Sequence, residues 1–403
     1  MKNILIISAV FPPEPVVSAK LSEDLAIYLS QFNNVTVISP KSTRPYGFVF
    51  SKRKINNPFS LINLDSYTFP ESHLFGRLRE SYSFGKACEK YIKTNHNKID
   101  LIYMNTWPIL AQYITVKSAN KFNIPVSIHV QDIYPESLST KMPMLGAFLN
   151  WIFIPFDKVI LEKSTTVIAI SKKMKKYLAN SRDISLNKIK VVKNWQNEDA
   201  FINYESIKKP LKNKLFTFMY MGNIGPVAGV DLLIESFSKA NLEKCRLVIA
   251  GSGSKRIELE KLVSLRKIER VSFVDVQNGM VPEIQGSANV MLLPIKKGAA
   301  SSSIPSKLPA YMFSKKPIIA SVDMDSDSAR VINEAKAGWV IEPENLDILI
   351  DAMREASLTK KSELELKGEN GFNYAMKNLS KKNNLKQLVN YISNKSQSYN
   401  SYE

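Results

Sequence analysis

At 403 residues, with 44% hydrophobic and 23% charged side chains, the chain is too long for one typical core and too apolar for a disordered one, so two domains of about 200 residues are expected. A formal net charge of +18 favours anionic partners, and two distant cysteines, Cys88 and Cys245, exclude a disulfide framework and, having no metal-ligand spacing, give no reason to expect zinc. No stretch offers the roughly 18 apolar residues that a membrane span needs, and the opening MKNILIIS is too short for a signal peptide, so a soluble or peripheral protein is expected.

The first half alternates strand and helix patterns. Strands are predicted at 3–8, 35–39, 100–105, 125–130, 165–170 and 189–193, and helices at 18–31, 77–95, 108–121, 141–162 and 172–180. Such alternation implies a parallel sheet covered on both faces. The connection FPPEPVVS after the first strand is rich in proline rather than glycine. It therefore cannot be the dinucleotide fingerprint, whose glycines let backbone approach a pyrophosphate.

The stretch HVQDIYPES follows the strand at 125–130 and sets His129 and Asp132 at the carboxyl edge of the sheet. An imidazole there can orient or deprotonate a hydroxyl, and a carboxylate can accept from it, although a strand-end histidine also serves structure and Asp132 can cap a turn. Next comes MPMLGAFLNWIFIPF (142–156), apolar but interrupted by Gly146 and Pro155, with Lys141, Lys158 and Lys163 around it. Two roles fit, a buried core helix or a segment lying in an anionic membrane interface. The basic run SKKMKKYL (171–178) reads as a solvated helix face; aromatic residues do not interleave with it, so nucleic acid is not an expected partner.

Periodicity lapses at 203–214, NYESIKKPLKNK, the expected linker. A second alternating set follows, with strands at 216–221, 246–250, 271–275, 290–293, 317–321 and 338–342, and helices at 229–240, 255–266, 304–313, 327–336 and 345–357. Residues after about 360 read as helical and polar, ending in a frayed KSQSYNSYE. The expected fold is α/β, two Rossmann-like halves facing across a cleft.

Two glycine turns, MGNIGPVAG (221–229) and AGSGSK (250–255), each follow a strand and lead into a helix, offering backbone amides to a phosphate. The loop 292–320 adds Lys296, Lys297, Ser301, Ser302, Ser303, Ser306 and Lys307, with Pro305 expected to open a helix. Hydroxyls, cations and amides converging at a carboxyl edge suit a phosphate. DMDSDSARVINE (323–334) mimics the carboxylate spacing of a calcium loop, but Ser328 stands where that loop needs glycine and a strand precedes it. Helix capping is the simpler role.

These stretches resemble one family. YMGNIGPVAGVDLLIESF, LVIAGSGSKRIELEKL, SSIPSKLPAYMFSKKPIIAS and EAKAGWVIEPEN, preceded by SAVFPPEP, HVQDIYPES and KVVKNWQNEDAF, are similar to the GT-B glycosyltransferases of family 4, in order, from about residue 1 to 375. Within that family they most resemble the bacterial branch that builds O-antigen, capsule or colanic acid, including the L-fucosamine (N-acetyl-L-fucosamine) transferases.

The resemblance implies three regions: an acceptor domain at 1–205, a nucleotide-sugar domain at 206–370, and a segment at 371–403 whose helix packs back on the first domain. It implies Gly222 and Asn223 near a pyrophosphate, Gly251, Gly253, Ser254 and Val276 near the nucleoside, and Lys296, Ser303, Ser306 and Lys307 on the phosphates or donor sugar. His129 matches a histidine near the reacting sugar, with Asp132 beside it. A retaining transfer is implied, from a UDP-linked sugar to a polyprenyl diphosphate-linked saccharide, without metal or other cofactor. The implied setting is cytoplasmic, peripheral on the inner face of the cytoplasmic membrane.

The chain departs from the family pattern in four places. Ser302 and Ala310 stand where most members carry two glutamates, and Asn223 and Ala228 where an arginine and a lysine are common. Charge facing the leaving diphosphate must then come from elsewhere, and Lys307 and Lys296 are the candidates. Rival expectations are a nucleotide-sugar epimerase of the same shape and a noncatalytic membrane-associated scaffold.

Overall fold

The structure, a computed structural model, describes residues 1–44, 57–69, 73–105, 108–141, 144–207, 215–277, 279–298 and 304–393. It divides into two compact units, Met1–Asn194 with Asn384 onward, and Trp195–Asn383.

The first unit is built on seven parallel strands: β1 (Asn3–Ile7), β2 (Asn34–Ser39), β3 (Ser60–Asn63), β4 (Leu101–Asn105), β5 (Val126–Val130), β6 (Thr166–Ala169) and β7 (Ile189–Val191), in the order β3-β2-β1-β4-β5-β6-β7. The inner strands β4 and β5 are buried along their whole length, which is why they read as continuous apolar runs. β3 escaped the sequence reading because SLIN is short, mostly exposed and at the sheet edge. The expected helix 141–162 is two helices, Glu136–Lys141 and Gly146–Lys163. A Cβ on Gly146 would stand 3.1 Å from Ser139 Cβ, so the second helix starts where a small residue lets it close on the first.

The second unit holds six parallel strands: β8 (Phe216–Met221), β9 (Cys245–Ala250), β10 (Val271–Val274), β11 (Val290–Pro294), β12 (Ile318–Ser321) and β13 (Gly338–Ile341), in the order β10-β9-β8-β11-β12-β13. Alternate residues of β8 feed opposite faces: Met219 and Met221 join one buried cluster, Phe218 and Tyr220 the other. The helix expected at 304–313 runs Lys307–Phe313; the Leu308 amide donates to the Pro305 carbonyl at 3.0 Å, and Pro305 thus belongs to the turn before the helix.

The division between units departs from 205/206 and 370/371. Helix Asp199–Ile207 replaces the start of the expected linker, and residues 208–214 lie outside the described set. Trp195 onward joins the second unit because Glu198 accepts from Ser380 Oγ and from the Lys381 amide at 2.8 Å, next to a bridge between Gln196 and Ser380. At the other end, helix Lys361–Asn378 lies on helix Lys307–Phe313 so closely that a Cβ on Gly368 would be 2.1 Å from the Lys315 carbonyl oxygen. Within the first unit, Lys2 Nζ donates to the Ser393 carbonyl at 3.1 Å, fastening the last helix, Lys381–Ser393, beside the start of β1.

Candidate functional site

In the second sheet the strand order reverses between β8 and β11, so the loops that leave their carboxyl ends flank the crevice where an open parallel sheet takes ligands. The β8 loop is locked to the β9 loop by backbone. The Gly222 amide donates to Ala250 O at 3.0 Å, Ile224 to Ser252 O at 2.8 Å, and Lys255 to Ile224 O at 3.0 Å. A Cβ on Gly251, whose φ is +133°, would fall 2.1 Å from the Gly222 carbonyl oxygen, so no side chain fits there. The two glycine turns predicted as separate amide sources are one interlocked structure.

Against this structure stands Lys307, the first residue of helix Lys307–Phe313. Its Nζ donates to Tyr220 Oη at 2.8 Å and lies 4.4 Å from the centre of that ring. A Cβ on Gly222 would be 3.1 Å from the same nitrogen, so the ammonium touches the glycine turn itself. Tyr220 Oη in turn donates to the Asn223 carbonyl at 2.6 Å. One helical turn on, Tyr311 Oη accepts from the Met221 amide at 2.9 Å and donates to the Met221 carbonyl at 2.7 Å. Two phenols thus clasp the end of β8, one steering the turn and the cation, the other replacing a ladder partner.

Burial lowers the Lys307 pKa to about 8, and among the described residues no carboxylate pairs with it. A partly buried cation with no carboxylate partner among the described residues invites an anion. Neither tyrosine was among the sequence candidates. Within FTFMYM, Tyr220 reads as one more apolar strand residue, and only the contact made by its hydroxyl distinguishes it.

The other donor-side candidates are placed as follows. Asn223 and Ser254 are exposed, and Val276 is half-buried against one of the two cores. Gly253, like Gly251, is required by packing: a Cβ would meet the Ile224 carbonyl oxygen at 2.3 Å. Lys296 lines a neighbouring hollow with Gly229, Asp231, Glu235, Ser321 and Glu344, apart from the residues that contact Lys307. Ser306 is the exposed residue preceding the Lys307 helix and makes no side-chain cap. Ser303, with Ser301 and Ser302, lies outside the described residues.

In the first unit His129 sits near the carboxyl end of β5, fully buried, its Nδ1 hydrogen-bonded to Tyr103 Oη at 2.7 Å while Nε2 has no partner among the described groups. Burial holds its pKa down to about 4, so the ring is neutral at pH 7. Asp132 is exposed and borders a small hollow with Gln112, Val130, Tyr134 and Asp157. Since Val130 belongs to the core on the sheet face opposite His129, the two candidates are not brought into contact.

The loop carrying Asp132 is held by Arg182, a fully buried side chain. Its guanidinium donates to both carboxylate oxygens of Glu136 at 2.7 Å each, to Asp157 at 2.8 Å and to the Tyr134 carbonyl at 3.2 Å. At the β1–β4 switch of the same sheet, Asn105 Nδ2 donates to Ser8 Oγ at 3.1 Å and Ser22 Oγ at 2.9 Å, and Gln112 Nε2 donates to Asn105 O at 2.8 Å. Sequence reasoning named none of these residues, because polar groups scattered over β1, β4 and two helices share no spacing.

Comparison with known proteins finds one family model in each half of the chain. Residues 20–199 match the model described as Glycosyltransferase Family 4, and residues 216–357 the model described as Glycosyl transferases group 1. WcaI of Escherichia coli strain K12, named a colanic acid biosynthesis glycosyl transferase, is 24% identical over 277 residues, covering 66% of this chain and 67% of its own. WbjE of Pseudomonas aeruginosa, named a glycosyltransferase, is 23% identical over 291 residues, 64% of this chain and 67% of its own. Among solved structures, Anabaena HepE in complex with UDP superposes with a TM-score of 0.67 at 16% identity, covering 98% of this chain and 100% of that one. The shared fold is GT-B.

Proposed function

We propose that the chain, a glycosyltransferase whose residues 20–199 match the Glycosyltransferase Family 4 model and 216–357 the Glycosyl transferases group 1 model, carries out a retaining transfer of a hexose-type sugar from a UDP-linked donor to a polyprenyl diphosphate-linked saccharide. The product is a growing surface polysaccharide of O-antigen or capsule type, made at the inner face of the cytoplasmic membrane. N-acetyl-L-fucosamine is the sugar we assign, on the resemblance of the motifs quoted above. WcaI is named for colanic acid biosynthesis and the HepE structure contains UDP, which favours both the pathway class and the nucleotide.

The observation that carries the reading is the Lys307 ammonium, partly buried, without a carboxylate partner among the described residues and in contact with the Gly222 turn. Breaking the bond between the anomeric carbon and the diphosphate oxygen leaves an oxocarbenium-like sugar and a nucleoside diphosphate carrying new charge. Fixed cations and amides lower the barrier most where that charge appears. The acceptor hydroxyl forms the new bond to the anomeric carbon on the face the diphosphate leaves, and its proton passes to the departing phosphate oxygen. The step as proposed uses no metal ion. His129, neutral through burial, is assigned to the acceptor side as an orienting group and not as a cation.

Purified protein incubated with UDP-sugars and bacterial membrane extract should transfer labelled sugar into the lipid fraction. Lys307→Ala should lower that rate about 10²–10³-fold, the usual loss for one such donor, with the fold intact by circular dichroism. An unchanged rate in the variant would remove Lys307 from the step.

A further inference from the structure

Helix Leu74–Asn95, which follows β3 in the first unit, carries five arginines and lysines and only two carboxylates, Glu80 and Glu89. Both carboxylates are taken: Glu80 by Arg77 at 3.1 Å and by Arg44, Glu89 by Lys93 at 3.0 Å and by Lys86. Among the described residues no carboxylate pairs with Arg79 or Lys90. Phe75, Arg79, Tyr82, Lys86 and Lys90 all face solvent, Phe75 being 85% exposed and Tyr82 55%. At 100° per residue these five positions fall within about 80° of the circumference, along about 22 Å of helix. They form one row in which ring, cation, ring, cation and cation follow each other.

The first half of the row is braced. Arg79 Cζ stands 4.3 Å from the centre of the Tyr67 ring, and that ring stacks on Phe69 with centroids 6.4 Å apart and planes at 22°. The Phe69 ring lies against the helix at Gly76, where a Cβ would come within 2.5 Å of it. The Tyr67 amide donates to Ser83 Oγ at 2.9 Å and the Phe69 amide to Glu80 Oε1 at 3.3 Å, so the chain leaving β3 is fastened along the helix. Arg79 is thus positioned by an aromatic ring that does not neutralise it. A cation held in this way loses little freedom when a ligand arrives.

The order of groups along the row selects the ligand. An aromatic face is electronegative and takes the C–H face of a sugar ring, while guanidinium and ammonium groups take carboxylates. Phe75 and Tyr82 are two turns, about 10 Å, apart with a cation between them, so a chain of linked sugar rings bearing negative charge meets each group in turn. Successive stacked bases would need a closer series of rings. A helix lying in a bilayer interface carries its cations on the face opposite its aromatic residues, whereas here they share one face. A second copy of the chain would set cation against cation in a molecule of net charge +18.

We propose that this row is a binding site for an anionic saccharide chain, Phe75 and Tyr82 stacking on its sugar rings while Arg79 and Lys90 pair with its carboxylates. A helix that follows a strand in a parallel βα alternation starts at the carboxyl edge of the sheet, so the row runs from that edge along the flank of the unit. The inference rests on the polysaccharide reading above and adds to it a place where the part of a glycan already built is held, apart from the group that reacts.

The test is titration of the full chain with oligogalacturonate, read by thermophoresis, with a malto-oligosaccharide of equal length as the neutral arm and oligo-dT as the nucleic-acid arm. Oligogalacturonate should bind, more weakly as salt rises, and about tenfold tighter than the neutral chain. Phe75→Ser with Tyr82→Ser should lower the affinity for both saccharides about tenfold, and Arg79→Gln with Lys90→Gln should abolish the preference for the acidic one. The two pairs remove different chemistry at exposed positions, so a folding defect in one variant leaves the other decisive. No binding of oligogalacturonate by the parent, or parent-level binding by both variants, would overturn the proposal, as would tighter binding of oligo-dT than of either saccharide. UDP titration in parallel separates the two readings: a parent that takes UDP but not oligogalacturonate sinks this inference alone, and one that takes the saccharide but not UDP sinks the donor site alone.

Discussion

Lys307 and Tyr220 form a pair whose two members control each other. The phenol accepts from the ammonium and lends its ring face to it, so the cation is aimed without being neutralised by this neighbour. Burial lowers the amine to about 8. A bound diphosphate favours the charged form, hence the affinity for UDP should hold up to that pH and fall as pH rises through it, approaching about tenfold per pH unit. Below about 6 the terminal phosphate takes up a proton and affinity falls again. Titrations at a series of pH values read this directly, and a flat profile across 7 to 9 would exclude a titrating amine from the site. Tyr220→Phe keeps the ring but removes the acceptor for Nζ and the donor to Asn223 O. It should weaken UDP binding by about 1 kcal/mol and move the alkaline fall to lower pH. A purely structural tyrosine would leave the pH midpoint where it is.

At the scale of elements, the loop after β5 owes its shape to one buried guanidinium. Arg182→Met leaves the carboxylates of Glu136 and Asp157 without their cation in a site where burial already pushes Asp157 up to about 6, against the pull of Arg182. Breaking such a buried set by removing one partner costs about 3–5 kcal/mol. Chemical denaturation of the variant should show that loss, and a difference below about 1 kcal/mol would mean the carboxylates find water or protonate without penalty. The elements also mark where sequence stops being informative. Strands β4, β5, β8, β9 and β11 were legible because parallel strands covered on both faces must be apolar throughout. β3 was not, since an edge strand of four residues has little to bury. Segment 142–156 was ambiguous for the opposite reason. It is apolar around its whole circumference, and periodicity cannot say which side is covered.

Over the whole molecule, the parts of the candidate site differ in legibility by kind. The glycine turns and Lys307 were readable because a carboxyl-edge loop limits what glycine and lysine do there. Tyr220, Tyr311, Arg182 and the Ser8–Ser22–Asn105 network were not. Each works through a partner at least 14 residues away in sequence, and tertiary contact alone pairs them. The two candidate regions also differ in electrostatic character: Lys307 has no carboxylate partner among the described residues, while His129 is neutral through burial and Arg182 is engaged by Glu136 and Asp157. This difference is why the proposed diphosphate site is placed in the second unit.

The most direct test of that assignment is calorimetric titration of the intact chain with UDP, in parallel with Lys307→Ala. One UDP per chain, binding with measurable heat and raising the unfolding temperature in the parent while losing about 3 kcal/mol of affinity in the variant, is the predicted result. No heat and no protection from unfolding in the parent, or equal affinity in the two proteins, would contradict a diphosphate held against Lys307.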